Sequence, residues 1–96
     1  MLDTGFTGYL TLPAADIQQL GLPPGGERTF RLASGELHTF EVYDGSVLWH
    51  GHSTEALVLQ AEGLPLIGMS LLWGSRVTFD ALAGGIVEIE ALAVDL

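Results

Sequence analysis

The sequence predicts an all-β domain with one or two short helices, and three observations point there. Apolar and polar residues alternate over short runs, as in "GYLTLP" (8–13), "SRVTFDA" (75–81) and "GIVEIEAL" (85–92). Thirteen glycines, often beside Pro, Asp or Ser, divide the chain into segments of strand length. At 96 residues, 48% of them hydrophobic, the chain has apolar material for one core and no room for a second, so residues 1–96 are read as a single domain. Short strands without long helices suggest a closed or partly closed barrel.

The elements follow in order. Alternation makes 8–13 a half-buried strand. "PAADIQQLG" (13–21) opens on Pro and ends on Gly, which suits one or two helical turns. "LPPGGE" (22–27) reads as a loop. "RTFRLASGELHTFEVY" (28–43) reads as a hairpin, with Phe30 and Leu32 on one arm, Phe40 and Val42 on the other, and Ser34-Gly35 as its turn. "YDGSV" (43–47) reads as a further turn before "VLWHG" (47–51). "EALVLQAEG" (55–63) has a strand-like apolar run, although its Ala and Glu also suit a helix. "PLIGMSLLWG" (65–74) carries unbranched apolar residues after a glycine and suits a short helix. Gly84-Gly85 is the expected turn between the last two strands.

Composition removes several function classes. There is no cysteine, so disulfides and thiolate metal sites are excluded and a cytoplasmic location is the default expectation. No apolar run approaches the roughly 18 residues of a membrane-spanning helix, and no basic-then-apolar leader opens the chain. The formal net charge is −9, with no lysine and only Arg28, Arg31 and Arg76 as permanent cations. Phosphate backbones and anionic membranes need cationic neutralisation, so neither is an expected partner. Two such chains can associate only through an apolar or backbone-paired interface.

One tripeptide carries chemistry. Asp3-Thr4-Gly5 places a carboxylate beside a glycine, which permits the tight turn that projects it. A carboxylate that activates water for amide hydrolysis works best beside a second one, because a shared proton makes one a base and the other an acid. The remaining aspartates, Asp16, Asp44, Asp80 and Asp95, do not repeat the motif. The second carboxylate would therefore come from a second copy, with each Asp3 meeting its image near a two-fold axis. About sixty residues on lies "PLIGMSLL" (65–72), followed by "GSRVTFD" (74–80).

With these two motifs the chain resembles the clan AA, retropepsin-like single-domain aspartic proteases. Their pattern is Asp-Thr-Gly-Phe-Thr-Gly, a strand ending in Pro, a short helix, a flap hairpin, and two hydrophobic residues plus Gly leading into Met-x-Leu-Leu. Here those parts are Leu2 to Gly8, Leu12-Pro13, Ala14 to Leu20, Arg28 to Tyr43, and Leu66-Ile67-Gly68 with Met69, Leu71 and Leu72. The resemblance runs from residue 2 to about residue 90, in the same order and spacing.

The resemblance implies a retropepsin-like acid-protease barrel and an aspartic endopeptidase active as a homodimer on a peptide or protein substrate, with no cofactor and no metal. Asp3 would be the catalytic aspartate of a symmetric dyad. Thr4 would brace the two catalytic loops across the dimer, and Gly5 would permit the turn. Leu66, Ile67 and Gly68 would pack beneath that loop. Ala33, Ser34 and Gly35 would form the tip of a flap over a substrate held as an extended strand.

The chain departs from the pattern at Ser34, where members often have Asp, and at Ser70, likewise often Asp. Only Met1 and Leu2 precede the motif, where members carry a strand or hairpin. The chain is thus expected to be an N-terminally shortened member or to continue upstream. The alternative to a peptidase is an inactive relative that self-associates or binds peptides by strand pairing.

The other chemically suggestive residues have plainer readings. On a strand, His50 and His52 would share a face, the spacing of a metal-ligand pair. With only His38 available as a third ligand, they read as surface histidines. Trp49 and Trp73 read as core or interface packing, and Glu88 and Glu90 as the solvated side of a strand.

Overall fold

The fold is described for residues 1–93 of a computed structural model of the chain. Its elements are β1 (Leu10–Leu12), α1 (Ala14–Leu20), β2 (Pro24–Arg31), β3 (Leu37–Trp49), β4 (His52–Gln60), β5 (Leu66–Ile67), α2 (Met69–Leu72), β6 (Ser75–Phe79) and β7 (Val87–Ala91). The all-β class holds, with two short helices. Among the described residues the strands form a five-stranded sheet in the order β2-β3-β4-β1-β5 and a separate two-stranded sheet of β6 and β7. They do not close into a barrel.

Helix α1 follows its sequence signals. Pro13 precedes the first turn, Ile17 is its buried residue, and Gly21 ends it in the left-handed region at φ 65°. There the Gly21 amide donates to the Gln18 carbonyl, and the Leu22 amide donates to that of Ile17.

Three local expectations give way. The loop expected at 22–27 is mostly strand: β2 begins at Pro24 and pairs with Tyr43, and an irregularity between Pro24 and Gly26 absorbs the proline. The turn expected at 43–47 is the middle of the thirteen-residue β3, with Asp44 opposite Leu57 and Gly45 opposite Ala56. Gly45 is there for space. A Cβ on it would lie 3.1 Å from Val58 Cγ2 and 3.3 Å from the Ala56 carbonyl oxygen. The real turn comes later. His50 (φ 51°) and Gly51 (φ 79°) form a two-residue hairpin connection with both residues at positive φ, so His50-Gly51-His52 is not a strand. The ambiguous 55–63 segment resolves as strand β4.

The buried apolar residues are Ile17 of α1, Val42 of β3, Ala56, Val58 and Leu59 of β4, and Leu71 and Leu72 of α2. Val58 and Leu59 are consecutive on a strand and so face opposite sides, which means both faces of the sheet are covered at that point. Trp49 is half-buried, whereas Trp73 is 81% exposed and lies outside the chain's own core.

Candidate active site

The Asp3 loop is built around β5. Strand β1 pairs parallel to β4 and antiparallel to β5, with Leu10 opposite Ile67. On the other side of β5, Leu2 forms a parallel bridge to the same Ile67. Ile67 therefore lies between the two arms of the segment 3–9. The Asp3 amide donates to the Ile67 carbonyl (2.9 Å), and the Ile67 amide donates to that of Met1 (2.7 Å).

Gly68 is the close-packed point of the crossing. A Cβ there would lie 2.5 Å from Phe6 Cδ2 and 2.8 Å from the Phe6 carbonyl oxygen, and closer still to the Gly8 carbonyl. Only glycine lets the chain leave β5 under the loop. The following amides then stitch loop to helix: Gly68 donates to Tyr9 (2.9 Å), Met69 to Phe6 (2.8 Å) and Ser70 to Gly8 (3.0 Å). The Ser70 hydroxyl donates to the Thr7 carbonyl. Ser70 thus ties the Asp3 loop to the first turn of α2.

Within the loop, the Phe6 amide donates to the Asp3 carbonyl (3.1 Å) and the Gly5 amide to Asp3 Oδ1 (2.9 Å). The second bond fixes the carboxylate and leaves Oδ2 without a described partner. Asp3 is half-buried, and Thr4 and Gly5 are exposed.

Asp3 lines an open cleft of about 480 Å³, within the usual size of ligand pockets. Phe6, Thr11, Leu59 and Leu66 form its floor and sides, and Phe30, Arg31, Leu32, Ala33 and Phe40 of the β2–β3 hairpin form its other wall. The Phe6 and Phe30 rings meet at 5.9 Å between centroids, and Phe30 and Phe40 at 6.2 Å, in tilted and edge-on geometries favoured by aromatic pairs. Thr11 is buried, and its hydroxyl accepts the Leu66 amide (2.9 Å).

The hairpin tip is closed by its own bonds. The Leu32 amide donates to Glu36, the Gly35 amide to Leu32, and Arg31 Nη1 to the Gly35 carbonyl, each at 2.8 Å. Gly35 sits at φ 89°, a conformation that favours glycine.

The fold therefore gathers Asp3, Gly5, Ala33 and Leu66 at one cleft. Ile67 and Gly68 hold the loop from below, and Thr4, Ser34 and Gly35 stand outside the lining. Sequence reasoning did not single out Phe6, Thr11, Arg31 or Leu59 as cleft residues. The alternation around Phe30 and Phe40 and the flap expected over 28–43 were the signals pointing to that wall.

The histidines lie outside the cleft lining. His50 Nε2 is 2.8 Å from Ser75 Oγ and links the β3–β4 turn to β6, while the His38 ring rests on Phe40 at 4.5 Å. Among the described residues, no group of three or more His, Asp or Glu side chains is close enough to hold a metal. Asp95 lies outside the described residues.

These features define an all-β domain with a carboxylate-bearing, largely apolar cleft. Compared with family profiles, curated proteins and solved structures, the chain returns no match.

Proposed function

We propose that the chain is a retropepsin-like aspartic endopeptidase that works as a homodimer. The observation that carries this reading is Asp3 itself. Its carboxylate stands in an apolar cleft, on a turn that Gly5 shapes and that Gly68 alone lets close over β5. In the dimer, water would sit between the two Asp3 carboxylates, which share one proton. The ionised one takes a proton from the water as it attacks the peptide carbonyl, and the protonated one donates to the carbonyl oxygen. Collapse of the tetrahedral adduct breaks the C–N bond, with a proton passed to the leaving nitrogen. The apolar wall would receive substrate side chains, and the β2–β3 hairpin would cover an extended peptide.

The test is cleavage of a denatured protein from about pH 3 to pH 7, comparing the wild type with Asp3→Asn. Cleavage by the wild type alone is expected. Equal activity in both, or none in a well-folded dimer, overturns the peptidase.

A second reading is favoured by one observation: a single chain brings only one carboxylate, Asp3, to the cleft lining among the described residues. A domain whose copies do not bring their Asp3 residues together would bind an extended peptide and leave it uncut. A structure of the assembly with the two Asp3 carboxylates within hydrogen-bonding distance rejects this reading.

A further inference from the structure

The chain has three arginines and no lysine against twelve Asp and Glu, and the fold puts the three to different uses. Arg76 is opposite Glu90 in the β6–β7 ladder. Arg28 is opposite Phe40, and its Nη1 donates to the Glu27 carbonyl at 2.9 Å. Arg31 alone of the three lines the Asp3 cleft. Among the described residues Asp3 is the one acid in that lining, so the cleft holds a single carboxylate on its floor and a single guanidinium on its hairpin side.

Arg31 is the last residue of β2. Side chains alternate along a strand, so Arg31 leaves the hairpin on the face away from Phe30. Its Nη1 then donates to the Gly35 carbonyl at 2.8 Å, which holds the guanidinium at the hairpin tip, on the rim of the cleft. That carbonyl occupies one N–H group of the guanidinium and neutralises none of its charge. Arg31 is exposed, so its remaining donors are open to a ligand. The turn that anchors it is already closed by the Leu32–Glu36 and Gly35–Leu32 backbone bonds. A side chain held this way loses less freedom on binding than a free arginine would.

We propose that Arg31 is a specificity-determining residue: the cleft selects extended peptide segments in which a Glu or Asp side chain flanks, within about two residues, the apolar side chain seated on the Phe30–Phe40 wall. This rests on the reading of the cleft as a site for an extended peptide, whether cut or left uncut. Successive side chains of an extended chain point to opposite sides, so a neighbour of the seated residue turns from the floor toward the rim. There a guanidinium meets a carboxylate in paired N–H···O bonds, stronger than neutral ones. The net charge of −9 opposes an acidic peptide. Salt screens exposed charges beyond roughly 8 Å at physiological ionic strength, and direct contact with Arg31 lies well inside that distance. Asp3 repels a carboxylate placed on the floor, which confines the acidic residue to the rim.

The test uses labelled peptides capped at both ends, each with one Phe in an Ala-Val background and a single Glu, Gln or Lys walked along the sequence. Capping leaves the side chain as the source of any carboxylate. Fluorescence anisotropy with the full chain carrying Asp3→Asn reads binding without cleavage. The best-placed Glu peptide is expected to bind about tenfold tighter than its Gln twin. Adding Arg31→Gln should abolish that ratio, and Arg31→Glu should favour the Lys twin instead. Arg31→Lys keeps the charge without the planar fork and should retain part of the preference. An arginine that only braced the tip would, when replaced, weaken all peptides alike and leave the Glu-to-Gln ratio unmoved. That result overturns the proposal, as do absence of saturable binding, a Glu preference that survives Arg31→Gln, and binding by uncapped peptides only. Wild-type kcat/KM on the same pair separates this inference from the peptidase reading. Cleavage indifferent to Glu or Gln overturns the role of Arg31 and leaves the peptidase standing. An Arg31-dependent binding preference without cleavage does the reverse.

Discussion

The Asp3 loop and the tip of the β2–β3 hairpin form the two sides of one cleft, yet they are held in opposite ways. The loop's backbone bonds run to residues some sixty positions away: Asp3 to Ile67, Met69 to Phe6, Ser70 to Gly8. The tip's bonds connect Arg31, Leu32, Gly35 and Glu36 to one another. Moving the loop means breaking the crossing over β5, which is close to unfolding the domain. Opening the tip breaks only local bonds between exposed groups. A cleft built this way has a fixed floor carrying the carboxylate and a wall that can yield to an incoming chain.

The sharpest way to break this contrast is Gly68→Ala. Its Cβ meets backbone oxygens of Phe6 and Gly8, which cannot move without displacing the loop. A loss of about 3 kcal/mol of stability is expected, read as a lowered urea midpoint with an unchanged slope. A loss below about 1 kcal/mol would mean that the floor relaxes as easily as the tip.

Gly35→Ala is the matching change in the wall. Nothing lies within 4 Å of its Cβ position, so the cost comes from the φ of 89° alone. About 1 kcal/mol is expected, with the main sheet intact by amide exchange. Protection lost from β4 as well would show that the tip is coupled to the core.

The smallest effect concerns pH. Tyr43, in the part of β3 that continues past the cleft, has its hydroxyl raised above the ordinary value of 10.0, first by desolvation and then by the neighbouring Glu41. Glu41 Oε2 and Gln60 Oε1 lie 3.3 and 3.2 Å from the hydroxyl. The folded state thus holds this proton more tightly than the unfolded chain does. The resulting stabilisation is fully present below pH 10.0 and fades as pH rises through the folded value. Absorbance titration should give a midpoint above 10.0 for Tyr43, moving down in Glu41→Gln. An unmoved midpoint in that variant would remove Glu41 as a cause.

Local signals were legible where local physics decides. Pro13 and Gly21 bracket α1 because proline suits a first turn and glycine takes the left-handed cap. Ser34-Gly35 marks the β2–β3 turn because Gly35 needs positive φ. The same reasoning failed at Asp44-Gly45. A turn dipeptide there is overridden by the ladder from Val42–Leu59 to Trp49–His52, and the glycine makes room for Val58 instead. It failed again at His50-Gly51, where histidine takes a positive φ that sequence alone gave no reason to expect.

By itself the sequence determined the all-β class, the net acidity of the chain, and the candidate carboxylate at Asp3. Those properties reside in single residues and short periods. Tertiary structure decided the rest. It separated β6–β7 from the main sheet, chose Phe6, Thr11, Phe30 and Leu59 as the company Asp3 keeps, and made Gly68 the one residue over which the loop can close. Each of these depends on segments far apart in the chain arriving at one place, and no local run of residues encodes which distant backbone will lie against it.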